Sequence, residues 1–251
     1  MATTREGEMK PSKFWKQTTT PYKGADTRRS ITQLSITIIS FLLLWAAMYW
    51  GMKISYFLSL ALAVPAGAFI VRLFMIQHDC GHGSYFPSRV ARETVGFCLG
   101  VLTLTPFKYW ASTHLYHHSH SGDLDFRELG EIHTLTVREY RNRTRWGRLR
   151  YWIYRNPFVL LVVGPAFQFL IKHRFPWDVP RKWRRAWRSV WLTNLALVAV
   201  VYVMGETLGY GRFFMLQGPT TLVACSIGVW LFYVQHQFEN TYWHYHKEWD
   251  Y

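Results

Sequence analysis

Four long apolar runs constrain this chain more than any other feature. They cover roughly Ile31–Trp50, Ile54–Ile76, Val190–Met204 and Phe213–Gln235. A bilayer core needs about twenty apolar residues in a helix. The first, second and fourth runs supply them, and the third borrows its Trp-rich flanks. Lipid offers no partner to a backbone N–H or C=O, so these runs must be helical, and Pro65 is tolerated where neighbours satisfy the carbonyl it frees. Gly51, Met52 and Lys53 connect the first two runs so tightly that they form an antiparallel pair. The expected fold class is an all-α integral membrane protein with four transmembrane helices and additional interfacial helices. Residues 1–30 read as a polar N-terminal tail, and residues 31–251 as one membrane domain.

Two further apolar runs, Thr94–Phe107 and Pro157–Ile171, are 14 and 15 residues long. As helices they reach about 21–23 Å at 1.5 Å per residue, short of a core about 30 Å thick. They are expected to be interfacial or re-entrant. Basic residues set the orientation. Seven precede the first run and eighteen lie between Gln77 and Arg188, against Lys53 and Arg212 in the two short loops of the other side. The positive-inside bias puts the N-terminus, the long middle segment and the C-terminus in the cytosol.

Composition narrows the function classes. The formal charge is +14, yet half of the residues are hydrophobic and 18% are aromatic. A disordered basic tail is poor in aromatics, and an ordinary soluble enzyme disperses its apolar residues instead of running them together. The basic stretches Arg138–Arg150 and Arg181–Arg188 carry Trp residues beside membrane segments, where interfacial Trp and Arg belong. No nucleic-acid partner is expected. Cys80, Cys98 and Cys225 are widely spaced and odd in number, which suggests neither a disulfide framework nor a thiolate zinc site.

Of eleven histidines, five fall into two clusters, His78-Asp79-Cys80-Gly81-His82 and His114-Leu115-Tyr116-His117-His118. On a helix, His78 and His82 share a face, and His114 shares one with His117 and His118. Neutral imidazole is the commonest protein metal ligand and suits iron, zinc, copper and nickel. The second span delivers His78 to the cytosolic edge, and the fourth delivers His236 to the same depth. Isolated histidines such as His133 and His173 read as core or interfacial residues hydrogen-bonded to backbone. Metal-bound histidine commonly gives its other N–H to a carboxylate. Asp123 and Asp125 are candidates for that role, as against a solvated turn pivoting on Gly122; Asp79 either shares it or completes a helix-face contact. Cys80 points off the ligand face and reads as packing. Gly81 removes bulk, so that a partner helix can approach.

Taken together, these motifs resemble the membrane fatty acid desaturases, close to the Δ12/ω-3 acyl-lipid group. The likeness rests on Gln77-His78-Asp79-Cys80-Gly81-His82-Gly83-Ser84, on the His114–His118 box, on Ser121-Gly122-Asp123-Leu124-Asp125, and on Gln235-His236-Gln237-Phe238-Glu239-Asn240-Thr241-Tyr242-Trp243. The resemblance implies a four-span fold with a cytosolic helical cap and two non-haem irons held almost wholly by histidine. The metal positions carry over to His78, His82, His114, His117 and His118, with His236 as an additional ligand. The family's third His-x-x-His-His box does not occur in this sequence, and the spacing of His244 and His246 differs from it. The expectation is a chain truncated before that box and inactive by itself.

Removing hydrogen from an unactivated methylene exceeds what any side-chain base can do, so activated O₂ on a metal must perform it. The resemblance implies a fatty acyl lipid substrate, O₂ as co-substrate and a cis double bond as product. No haem, flavin or Cys-ligated iron–sulfur motif is present. Electrons are therefore expected from a separate ferredoxin or b-type cytochrome steered by the basic surface, while membrane lipids meet the same cations. A bacterial inner membrane is favoured over the endoplasmic reticulum or a plastid membrane. The alternatives are a hydroxylase, acetylenase or carotenoid-modifying oxygenase of the same fold, and, from another class, a membrane metal transporter. A transporter places its polar ligands near mid-membrane on broken helices.

Overall fold

The computed structural model describes residues 17–20, 24–127 and 129–249. Most of the N-terminal tail read from the sequence lies outside the described residues. Four helices are long and apolar enough to cross a membrane: α1 Thr27–Gly51, α2 Tyr56–His82, α8 Arg184–Leu208 and α9 Tyr210–His236. Between α2 and α8 come α3 Arg89–Leu102, α4 Phe107–His120, α5 Val137–Asn142, α6 Arg145–Arg155, a π-helical turn Val159–Val163, α7 Gly164–Leu170 and a 3₁₀ turn Lys172–Arg174. No strand occurs among the described residues; an isolated bridge joins Asp123 and His244. The fold is an all-α membrane fold, as the apolar runs require.

The helix ends follow local chemistry. The Asp26 carboxylate accepts from Arg29 N at 3.1 Å and caps α1. The Ser55 hydroxyl accepts from Phe57 N at 3.2 Å at the start of α2. Gly83, at φ +79°, closes α2 in the left-handed conformation that favours glycine. Helices α1 and α8 begin earlier than the apolar runs do, because polar residues at the membrane edge continue the helix. Inside the bundle, α9 lies close along α2: a Cβ on Gly67 would stand 2.7 Å from Val223. Trp45 Nε1 donates to Gln217 Oε1 at 3.1 Å and fastens α1 to α9.

The start of α1 and the end of α2 lie at one end of the bundle, since Tyr85 donates to Ser30 O at 2.7 Å. The start of α8 joins them through Ser189 Oγ, which accepts from Lys108 N at 3.0 Å. Residues 94–107 do not make one helix. Pro106 cannot continue α3, Leu104 takes φ +55°, and the chain turns back into α4. Gln77 holds the tip of this hairpin, donating to Thr105 O at 2.9 Å and accepting from Thr103 at 2.7 Å. Gln77 sits less than two turns before His82, so the hairpin stays at this end of the bundle and returns the second histidine cluster to the first.

Candidate metal centre

Three helices bring the histidines together: the last turns of α2 and α9, and α4 lying across them. His78 and His82, one turn apart, have ring centroids 4.4 Å apart, as do His114 and His118. Across the helices, His82 Nε2 is 3.1 Å from His114 Nε2, which is 3.0 Å from His118 Nε2. One ring nitrogen from each of His78, His82, His114 and His118 lies within 4.8 Å of all the others. Gly81 permits this approach: a Cβ there would stand 2.9 Å from Trp110 Cζ3. The Trp110 ring stacks on His114 at 4.5 Å and meets Phe74 edge-on at 5.2 Å.

This donor set fits a metal ion. Two imidazole nitrogens bound about 2.1 Å from one ion and about 90° apart lie about 3.0 Å from each other. His114 Nε2 has one lone pair or one N–H and cannot satisfy both His82 and His118 as a neutral hydrogen-bonding group; a shared cation can. Burial, then the neighbouring His118, His78, His82 and His117, pushes the His114 pKa down to about 3. His118 is lowered as well, first by burial and then by His117 and His82. Both rings are thus held in the neutral, metal-binding form.

His117 and His236 form a separate pair with Nε2 atoms 2.9 Å apart. His236 Nδ1 lies 2.8 Å from Phe232 O. A carbonyl only accepts, so Nδ1 carries the proton and the Nε2 of the neutral ring is a bare lone pair. His117 is buried, and its Nδ1 stands 3.2 Å from Glu131 Oε1. The two subsites adjoin, with the His114 and His117 rings 6.1 Å apart. A cavity of about 320 Å³ opens beside the pair, lined by His117, Glu131, His236, Gly122 and Tyr242 among others.

All six sequence-predicted ligands therefore converge, four in one subsite and two in the other. The predicted carboxylates divide differently. Asp79 Oδ1 is 3.1 Å from His78 Nδ1. Asp123, fully buried, instead meets His246 Nδ1 at 2.7 Å, and Asp125 accepts from His246 N at 3.0 Å. These two acids hold the segment after α9 against the loop after α4, where Gly122 O also accepts from His244 N at 3.0 Å. Cys80 is buried in the core. His173 is buried between Gln168 and Leu104 O, and His133, half-buried, lies among tyrosines of α6. Glu131 was missed, because an acid thirteen residues beyond the box carries no spacing signal. A weak signal existed in the preceding Gly130. Its φ is +80°, and a Cβ there would stand 3.2 Å from His117 Cβ.

A helical membrane protein whose spans converge on a histidine cluster shaped for metal is the class that fold and site define. The chain matches the fatty acid desaturase family over residues 55–251 and belongs to that family. It is 43% identical over 226 residues to a fatty acid desaturase of Bacillus subtilis (strain 168), covering 90% of this chain and 64% of that protein. It is 33% identical over 78 residues to an sn-1 oleoyl-lipid 12-desaturase of Anabaena variabilis, covering 31% of this chain and 22% of the relative. It is 34% identical over 62 residues to an sn-1 acyl-lipid omega-3 desaturase (ferredoxin) of Synechocystis sp., covering 25% and 17%. The chain spans less than two thirds of the length of these curated relatives.

Proposed function

We propose that this chain is the histidine-bearing body of an O₂-dependent fatty acyl desaturase that introduces a cis double bond with two non-haem irons. The observation that carries the reading is the convergence of six histidines from α2, α4 and α9 into two adjoining donor groups. His78, His82, His114 and His118 would hold one iron; His117 and His236 would contribute to the second. Bound iron supplies the O₂-dependent oxidation that no side chain can perform on an unactivated methylene. For each double bond formed, two C–H bonds break, O₂, two external electrons and two protons from solvent are consumed, and two waters leave. Neutral imidazoles bind the metal without cancelling its charge.

Relatives named for acyl-lipid substrates support an acyl lipid as substrate, and the relative named for ferredoxin supports a ferredoxin as donor. The basic surface suits such an acidic donor. A cytosolic position for this end of the bundle agrees with the distribution of basic residues. It also agrees with helix length, since 27 residues of α2 span about 40 Å against a core of about 30 Å. The excess suffices to carry His78 and His82 clear of the hydrocarbon.

The test is product analysis in membranes supplied with reduced ferredoxin and O₂, using the chain joined to a segment that carries a His-x-x-His-His box. A new double bond that disappears in His82→Ala is the expected result. A hydroxylated product would move the assignment to the related hydroxylases, and no product would refute it.

A further inference from the structure

We propose that Glu131 is a positioning residue, fixing His117 with its proton on Nδ1 and a bare Nε2, so that His117 and His236 act as one two-nitrogen metal subsite. The inference rests on the metal reading above and adds to it the residue that prepares one ligand.

His236 needs no side-chain help, because the Phe232 carbonyl at 2.8 Å already takes its Nδ1 proton. His117 has no such carbonyl. Its Nδ1 faces Glu131 Oε1 at 3.2 Å, with both side chains more than nine-tenths buried. The contact is close but not aligned as a hydrogen bond: His117 Nδ1 and Glu131 Oε2 are both without a partner. A buried carboxyl and a buried ring N–H left apart are each costly, which favours their pairing. With that contact made, both Nε2 atoms are lone pairs 2.9 Å apart. Two lone pairs repel at that distance unless a cation lies between them, and the spacing matches adjacent ligands of one ion at about 2.1 Å.

Glu131 does not compete as a direct ligand here, since it stands on the Nδ1 side of the ring. The surrounding chain is built to hold it. Gly130 lets the loop lie against α4. Beyond Glu131, His133 N donates to Tyr154 Oη at 3.0 Å and Leu135 N to Tyr151 Oη at 3.2 Å. Gln237, next to His236, donates to Thr134 at 3.1 Å and accepts from Arg155 at 3.2 Å. The same short segment thus ties Glu131 to the end of α9 that carries His236.

The test uses the full chain and its His236→Ala form, in which no lone pair faces His117 Nε2, both detergent-solubilised and ¹⁵N-labelled at histidine, with long-range ¹H–¹⁵N spectra reporting ring tautomers without metal. In the His236→Ala form His117 is expected to be protonated on Nδ1, and to remain so when Glu131→Gln is added, whose amide oxygen still accepts. It is expected to lose that preference when Glu131→Ala is added instead, while in the full chain His236 keeps its Nδ1 proton throughout. In parallel, cobalt(II) titration should show that Glu131→Ala weakens, about 10–100-fold, the binding that His236→Ala removes. The binding removed by His82→Ala should persist and so certify that the variant is folded. An Nε2-protonated His117 in the His236→Ala form, a tautomer there unchanged by Glu131→Ala, or an unchanged cobalt affinity in Glu131→Ala overturns the role of Glu131. Correct tautomers with no cobalt bound by any chain overturn the metal reading instead.

Discussion

Gly81→Ala tests how the two histidine clusters are held together. The added methyl would stand 2.9 Å from Trp110 Cζ3 and 3.7 Å from Ala111 Cβ. An ordinary carbon contact needs about 3.5–4.0 Å, so the indole must withdraw by more than half an ångström. Trp110 has little freedom to do so, lying between Phe74 and His114. Overpacking of this kind costs about 1–3 kcal/mol. Against it stands a gain of about 1 kcal/mol, because Gly81 is helical and alanine is the better helix former. Overall stability should therefore fall by no more than about 2 kcal/mol. The ring that moves is the one stacked on His114, so metal affinity should fall by about tenfold or more, the scale of loss seen when a ligand's support is disturbed. Thermal melts with and without cobalt(II) separate the two effects: a small change without metal, and a much smaller cobalt-induced rise in Tm than in the wild type. A variant more stable than the wild type with unchanged cobalt affinity would refute the claim that Gly81 sets the spacing of α2 and α4.

Other perturbations should act elsewhere. His114 is held neutral, its pKa pushed to about 3, whereas an unfolded histidine titrates near 6.5. Between those values the unfolded chain binds more protons, so metal-free stability rises with pH through that window and is lost as pH falls from about 6.5 toward 3. Melts at pH 7 and pH 4 should show this fall, and His114→Gln should lessen it. Asp123→Ala removes the buried acceptor that faces His246 and should loosen the segment after α9 by about 1–3 kcal/mol; trypsin cleavage at Lys247 should accelerate about fivefold or more, and an unchanged rate would dismiss the contact as incidental. Reporter fusions after Arg89 and after Asp125 should give the same cytosolic signal, whereas opposite signals would require residues 94–107 to cross the membrane.

The spans were legible because lipid imposes a composition on any helix that crosses it, and the runs around Leu42, Val64 and Leu222 show it plainly. Their ends were less so. Arg184, Trp187 and Arg188 continue α8 as readily as leucine does, since polar side chains at a membrane edge face water. The two boxes were legible because ligand spacing is a helical period, and His78 with His82 or His114 with His118 needs no tertiary information. Glu131 and the pairing of Asp123 with His246 depend on where loops lie after folding. Asp123 looked like a partner for the box it follows; the chain turns at Gly122 and gives that carboxylate to a segment more than a hundred residues away. Loop acids carry no periodicity, so only the three-dimensional structure assigns them.

The central claim is that α2, α4 and α9 together make a histidine-ligated metal centre. Its most direct measurement is X-ray absorption on iron bound to the anaerobically purified chain, with the metal content of the wild type compared with that of His82→Ala. Bound iron is expected with a first shell dominated by imidazole nitrogen at about 2.1 Å, together with a clear loss of metal in His82→Ala. A wild-type chain that binds no iron, or a His82→Ala chain that holds as much as the wild type in the same ligand shell, would contradict it.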